Sequence, residues 1–130
     1  MEILKKEDLL YPDLSYRIIG ILFKVSNTLG VGYQEKDYQQ AIELAFKEYN
    51  LPYRKETKVE IMFGGKKIIR YADFIVDNKI ILEIKKGERF FKSNIDQLFS
   101  YLKVTGLKLG LLINFTRKGL QFKRIVNIRN

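Results

Sequence analysis

At 130 residues, 46% of them hydrophobic, the chain is long enough for one domain with a real core, and two prolines and nine glycines exclude a low-complexity or collagen-like chain. It holds no cysteine and no histidine, so disulfides, thiolate sites and the usual zinc ligand sets are excluded, and a metal site here must use oxygen ligands. Twenty-four Lys and Arg against fifteen Asp and Glu give a net charge of +9, the footprint of a nucleic-acid binder, although a merely solvated basic surface gives the same count.

No stretch approaches the roughly 18 uninterrupted apolar residues of a membrane span, and Met1 to Asp8 lacks a signal-peptide core. A cytoplasmic protein with no membrane contact is expected. Residues 1–13 read as a short charged lead-in ending at Tyr11-Pro12-Asp13. From Leu14 to Leu29, Ile18, Ile19, Leu22, Phe23, Val25 and Leu29 recur at helical spacing, and Gly30 is placed to stop that helix. Gly30-Val31-Gly32 is a tight connection, too short to cradle a phosphate and preceded by no strand. Glu35 to Tyr49 is a second amphipathic helix, with Tyr38, Ala41, Ile42, Ala45, Phe46 and Tyr49 on one stripe. Glu35 falls in its first turn, where a carboxylate complements the helix dipole without any further role.

Lys58 to Phe63 and Lys67 to Val76 flank Gly64-Gly65, and Ile80 to Lys85 follows the turn formers Asp77 and Asn78, so a three-stranded antiparallel meander is expected. Register decides the faces of the second hairpin. With a three-residue loop, Asp77-Asn78-Lys79, Val76 pairs with Ile80, Phe74 with Leu82 and Ala72 with Ile84, which makes one face wholly apolar. A two-residue loop would mix polar and apolar residues on both faces. The three-residue register sets Asp73 against Glu83 with their Cβ atoms about 5 Å apart, which is destabilising unless positive charge lies between them. Lys85 lies on the same face, roughly 7 Å along the strand. Two readings stand at this point. The three groups form a solvated strand face with an ordinary ion pair, or the two carboxylates hold a hard divalent cation such as Mg²⁺ with an ammonium beside it.

Asn94 to Thr105 resumes a helical period through Ile95, Leu98, Phe99 and Leu102, with Gly106 as its cap, and puts Gln97 and Tyr101 together at i and i+4. Leu107 to Phe115 is a nearly continuous apolar run suited to a strand buried on both faces. Asn114-Phe115-Thr116 matches a glycosylation sequon, which reads as chance in a chain without a secretory signal. Gly119 turns the chain into a last strand, Leu120 to Ile128. The predicted order is ααβββαββ, an α+β domain whose apolar run joins the meander after a helical crossover.

Gly32-Tyr33-Gln34-Glu35-Lys36-Asp37-Tyr38 matches the pattern GxxExxY, and Asp73, Glu83-Ile84-Lys85 and Gln97 to Tyr101 follow at matching intervals. In these motifs the chain resembles the GxxExxY family of the PD-(D/E)XK nuclease-like superfamily, over roughly residues 8 to 127. The resemblance implies a restriction-endonuclease-like fold, a central mixed β-sheet flanked by helices, in a single domain spanning 1–130. It implies a Mg²⁺-dependent nuclease, with Mn²⁺ as a substitute, that hydrolyses phosphodiester bonds in DNA rather than RNA. By that analogy Asp73 and Glu83 are metal ligands, helped by the backbone carbonyl of Ile84, and Glu35 reaches the metal directly or through water. Lys85 positions and polarises the attacking water, Gln97 orients Lys85 or a phosphate, and Tyr38 and Tyr101 pack and orient the helices. Among the basic residues near the hairpin, Lys86 and Lys92 are the chosen phosphate contacts, and a homodimer is one arrangement for cutting both strands. Two positions depart from the pattern: Ala72 replaces the proline before the aspartate, and Ser26 stands where many relatives carry a histidine. The alternatives are a catalytically inactive nucleic-acid-binding module of the same fold and a protein-interaction domain that keeps the ionic cluster as a relic.

Overall fold

The structure, a computed structural model, describes residues 10–128. Its elements are α1 (Pro12–Leu29), α2 (Glu35–Glu48), β1 (Tyr53–Phe63), β2 (Lys66–Val76), β3 (Ile80–Lys86), α3 (Lys92–Thr105), β4 (Leu109–Thr116) and β5 (Gly119–Val126), in the expected order. α1 begins at Pro12, inside the segment read as a lead-in, because the fixed proline φ suits a first helical turn and Asp13 complements its dipole. The remainder of that lead-in, residues 1–9, lies outside the described residues. Gly30, at φ 73°, ends α1 with its N–H donating to the Ser26 carbonyl. α2 opens with the Gln34 N–H donating to the Asp37 carboxylate at 3.0 Å, and α3 opens with the Phe91 N–H donating to Asn94 at 3.3 Å.

The five strands form one mixed sheet in the order β1-β2-β3-β4-β5. All neighbours are antiparallel except β3 and β4, which run parallel and are joined by the α3 crossover. α1 and α2 cover one face, where Ile18, Leu22, Ile42 and Phe46 meet Phe74, Ile80, Leu82, Ile84 and Ile113. α3 covers the other, where Leu98, Tyr101 and Leu102 meet Ile75, Ile81 and Leu112. Every residue of β4 is buried, as the apolar run requires of a strand between two neighbours and two helical layers. Arg124 of β5 donates to Ser15 Oγ and to the Leu10 carbonyl, both at 3.0 Å, which ties the last strand to the start of α1.

Three strands differ from expectation at a boundary by two residues or more, and of these β5, expected to run to Ile128, ends at Val126 where its pairing with Leu109 of β4 ends. β1 begins at Tyr53, five residues before Lys58, because the pairing with β2 runs from Phe63↔Lys66 back to Tyr53↔Val76. The charged run Arg54-Lys55-Glu56 hides this strand from any alternation reading. β4 begins at Leu109, after Leu107 and Lys108 have served as connection.

The β2–β3 turn is the three-residue loop, with Val76↔Ile80, Ile75↔Ile81 and Phe74↔Leu82 as its rungs. Asp77 and Asn78 take φ values of 52° and 54°, a left-handed region that Asp and Asn tolerate better than other side chains. Beyond Phe74↔Leu82 the sheet forks. β2 continues against β1, and β3 continues against β4. The expected rung Ala72↔Ile84 therefore does not form. Ala72 packs in the α3-side core with Ile75 and Ile81, whereas Ile84 packs with Phe74 on the other face. The pleat changes face at Asp73, where the β1 ladder also skips from Lys55↔Phe74 to Thr57↔Ala72 across Glu56, itself at φ 49°.

α3 seats closely on β4 because Gly110 has no side chain. A Cβ there would lie 2.8 Å from both Cγ and Cδ1 of Leu98. Gly110→Ala should lower stability by about 1–3 kcal/mol through this overlap. Urea melts of Gly110→Ala, Leu98→Ala and the double variant check the origin of the loss. Because the Ala side chain makes room for the added Cβ, the double variant should lose less than the sum of the two single changes.

Candidate active site

At the fork, two carboxylates take over the work of the missing rungs. The Asp73 N–H donates to Glu83 Oε2, and the Ile84 N–H donates to Asp73 Oδ2, each at 2.7 Å. These are charge-assisted bonds to main-chain donors, and they fix both side chains to the strand framework. Glu83 is 3% exposed and Asp73 is partly buried. Burial first, and then the facing Asp73 carboxylate, push Glu83 up to about 8. Asp73 is raised as well, chiefly by burial, against the pull of the Ile84 N–H and the Lys85 ammonium.

Lys85 alternates along β3 with Ile81 and Glu83, on the side opposite Leu82 and Ile84, and is partly buried. Its charge acts on both carboxylates in the direction that favours ionisation. Glu35 is the exposed first residue of α2, and its charge raises both members of the pair. Among the described residues, no group of three acidic side chains is close enough to hold an ion by itself. The structure thus brings Asp73, Glu83 and Lys85 together and sets Glu35 at the edge of their field. The donor set fits a hard divalent cation. One oxygen of each carboxylate is fixed by a main-chain N–H, and a cation removes the like-charge repulsion that the pair suffers.

α3 supplies the wall behind Glu83. Tyr101 is 1% exposed, and its hydroxyl is raised by burial and by the Glu83 charge, while a hydrogen bond with the Gln97 side chain opposes that shift. Tyr38 closes the glycine turn that precedes α2. Its hydroxyl donates to the Gly30 carbonyl at 2.5 Å, and its ring stacks on Phe115 with centroids 4.1 Å apart. The packing role expected for both tyrosines is what their surroundings display. Lys86 ends β3 beside a cavity of about 470 Å³ whose lining includes Gly32, Tyr38, Phe115 and Arg117. Lys92 is the exposed first residue of α3.

Two residues of this neighbourhood escaped sequence reasoning. Glu56 of β1 raises Asp73 and shares with it a cleft of about 240 Å³ lined also by Lys36, Gln39 and Lys55. Asn114 lies beside Lys85 across the β3–β4 rung and is 1% exposed, which removes any meaning from the sequon. Glu56 had no signal, being one charge in a charged run. An asparagine inside an apolar strand was a signal that the sequon obscured.

A family model described as the PD-(D/E)XK nuclease superfamily matches residues 12–125. The chain belongs to the PD-(D/E)XK nuclease superfamily. Among solved structures, the crystal structure of SSO0001 superposes with a TM-score of 0.60 at 21% identity, covering 99% of this chain and 72% of that one. The crystal structure of an alkaline exonuclease, LHK-Exo, from Laribacter hongkongensis superposes with a TM-score of 0.53 at 12% identity, covering 88% of this chain and 69% of that one. A search of curated proteins gives no match. The mixed five-stranded sheet with α1 and α2 on one face and α3 on the other is the restriction-endonuclease-like fold, and the substrate class of the superfamily is nucleic acid. Its members usually use divalent metal ions, in keeping with the donor set at the fork. Among the described residues no helix is long and apolar enough to cross a membrane.

The raised carboxylates give this PD-(D/E)XK protein a pH signature. A carboxyl whose folded pKa lies above its unfolded value contributes stability that is complete below the ordinary carboxylate range and is lost as pH rises through the folded value, here about 8 for Glu83. In chelator, the melting temperature should therefore fall between about pH 5 and about pH 8. Glu83→Gln should flatten that fall, and added Mg²⁺ should restore the wild type at the upper pH but not the variant. Thermal melts of both proteins across this range, with and without the ion, provide the measurement. A wild-type slope identical to that of Glu83→Gln would contradict the assignment of strain to Glu83.

Proposed function

We propose that the chain is a Mg²⁺-dependent nuclease of the GxxExxY branch, acting as a single domain on phosphodiester bonds in DNA, with Mn²⁺ as a working substitute. The observation that carries this reading is the Asp73–Glu83 pair, locked at the sheet fork by two 2.7 Å main-chain bonds with the Lys85 ammonium two residues further on. Asp73 and Glu83, with the backbone carbonyl of Ile84, would hold the ion, and Glu35 would reach it through water. When bound, a divalent cation supplies positive charge at the scissile phosphate and lowers the pKa of water.

The remaining roles belong to side chains of the protein. Lys85 offers three donors on a flexible stem, enough to hold a water against the phosphate and to meet charge that develops on the phosphate oxygens. With no histidine in the chain, Lys85 is the basic side chain two residues from Glu83 on the same side of β3. Gln97 would orient a phosphate or Lys85 from α3. Lys86, which lines the larger cavity, and Lys92, at the start of α3, would hold phosphates of the polynucleotide. The preference for DNA rests on the likeness to the GxxExxY family, and the net charge of +9 suits either polynucleotide.

Plasmid and single-stranded substrates, incubated with the purified protein in chelator, Mg²⁺ or Mn²⁺, test the reading. Cleavage should require the ion. Asp73→Ala, Glu83→Ala and Lys85→Ala should each reduce the rate by about 10²-fold or more while the far-ultraviolet circular dichroism stays unchanged. Absence of wild-type cleavage in every condition would remove the nuclease reading. Salt-sensitive binding without cleavage and without need of metal would assign the chain instead as a nucleic-acid-binding module.

A further inference from the structure

Asn114 sits in the middle of the chain's most apolar strand, 1% exposed, and neither its Nδ2 nor its Oδ1 has a hydrogen-bond partner among the described residues. A primary amide buried in this way is destabilising, since it has left water and gained nothing in return. Native proteins keep few such groups, and each calls for an explanation. Packing alone does not supply one, because an apolar side chain would fill the position without an unpaired amide and the neighbours Leu112, Ile113 and Phe115 are all apolar. Glycosylation does not supply one either, since the side chain is out of reach of any modifying enzyme.

The register does supply one. Asn114 and Lys85 are partners across the parallel β3–β4 rung. On β4, Leu111, Ile113 and Phe115 enter the α1/α2 core and Leu112 enters the α3 core, so by alternation Asn114 emerges on the α3 side. On β3, Leu82 and Ile84 enter the α1/α2 core and Ile81 the α3 core, so Lys85 emerges on that same side. The two side chains therefore leave the sheet about 4.8 Å apart, one strand spacing, and in the same direction. No hydrogen bond is present on the Lys85 ammonium among the described residues. An ammonium with three donors and an amide with a carbonyl acceptor stand side by side, each lacking a partner.

We propose that Asn114 is a positioning residue for Lys85: its Oδ1 accepts a hydrogen bond from the Lys85 ammonium when the site is at work and holds that ammonium on the α3 side of the sheet, the side to which Glu83 also points. The role rests on the reading that Lys85 serves phosphodiester hydrolysis. Lysine loses much rotamer freedom when its head group is fixed, and a rigid acceptor on the adjacent strand meets that need before substrate arrives. The arrangement trades stability for placement, which yields opposite effects of one substitution on two observables.

The test compares wild type, Asn114→Leu and Asn114→Thr. Asn114→Leu removes the unpaired amide with a side chain of the same branching, a gain that offsets the larger size of leucine, so its melting temperature should stay at or near that of wild type. Its kcat on DNA with Mg²⁺ should nevertheless fall about 10- to 100-fold, with KM and the Mg²⁺ concentration for half-activity unchanged. Asn114→Thr, which restores an oxygen acceptor on a strand-favouring side chain, should recover part of the kcat and covers the case in which the leucine variant folds poorly. An active wild type with unaltered kcat in Asn114→Leu overturns the inference and leaves the nuclease reading standing. A second measurement works even if the wild type cuts nothing. The side-chain ¹⁵N amide resonance of Asn114, assigned by its loss in Asn114→Leu, should move in Lys85→Met while that of exposed Asn50 does not. A resonance that stays in place overturns the inference independently of catalysis.

Discussion

The structure depends on a pair of exchanged hydrogen bonds. A sheet that forks leaves main-chain N–H groups facing a gap, and buried donors of that kind must find acceptors. Here the side chain of each strand serves the other: Glu83 accepts from the Asp73 N–H and Asp73 accepts from the Ile84 N–H, both at 2.7 Å. The fork is thereby stable in hydrogen-bond terms and unstable in charge terms. Two carboxylates in a buried gap repel each other, and both resist ionisation. The residues that would hold an ion are thus the residues that close the sheet, and a change to either alters the framework along with the chemistry.

The helices extend the same constraint outward. α2 starts where it does because Tyr38 reaches back to the Gly30 carbonyl and stacks on Phe115 of β4, so the turn carrying Glu35 is fixed to the sheet from both sides. α3 lies close on β4 because Gly110 leaves room for Leu98. The same helix carries Tyr101, whose phenol senses the Glu83 charge. The apolar layers therefore position polar groups they never touch. Glu35 belongs to the helical layer on one face of the sheet and Gln97 to the layer on the other, because α1 with α2 and α3 cover opposite sides.

Much of this was legible in the chain. Gly30 and Gly106 mark two helix ends, and the demand for one apolar hairpin face selects the three-residue loop that is present. The motif residues Asp73, Glu83 and Lys85 could be named as a group because ionic side chains stand out in apolar strands. What stayed hidden has local causes. β1 begins at Tyr53 through pairing to Val76, whereas its own first residues are polar, Tyr53 and Lys55 both donating to Glu43 of α2. Ala72 changes face because the ladder breaks at Asp73, and strict period-two counting cannot represent a break. Glu56 gains its meaning from a left-handed φ opposite that break. Asn114 needed burial and an unpaired amide to become visible, and neither is a property of sequence.

Charge at two scales bears on how the site works. The whole chain carries +9, so a polyanion is drawn toward it from a distance. Once ionised, the two carboxylates of the fork, with Glu35 acting on both and Glu56 on Asp73, set up a field that repels a phosphate at short range. Lys85 offsets only part of that negative charge. A polynucleotide held by lysines such as Lys86 and Lys92 would therefore avoid the fork unless further positive charge entered it. A simple binding module has no use for such an arrangement, since removing the carboxylates would strengthen its grip. A site whose reaction needs a divalent cation does have a use for it, because the same repulsion that excludes a bare phosphate is what draws the ion in. The acidic fork inside a basic domain is intelligible as a place where cation and phosphate must arrive together.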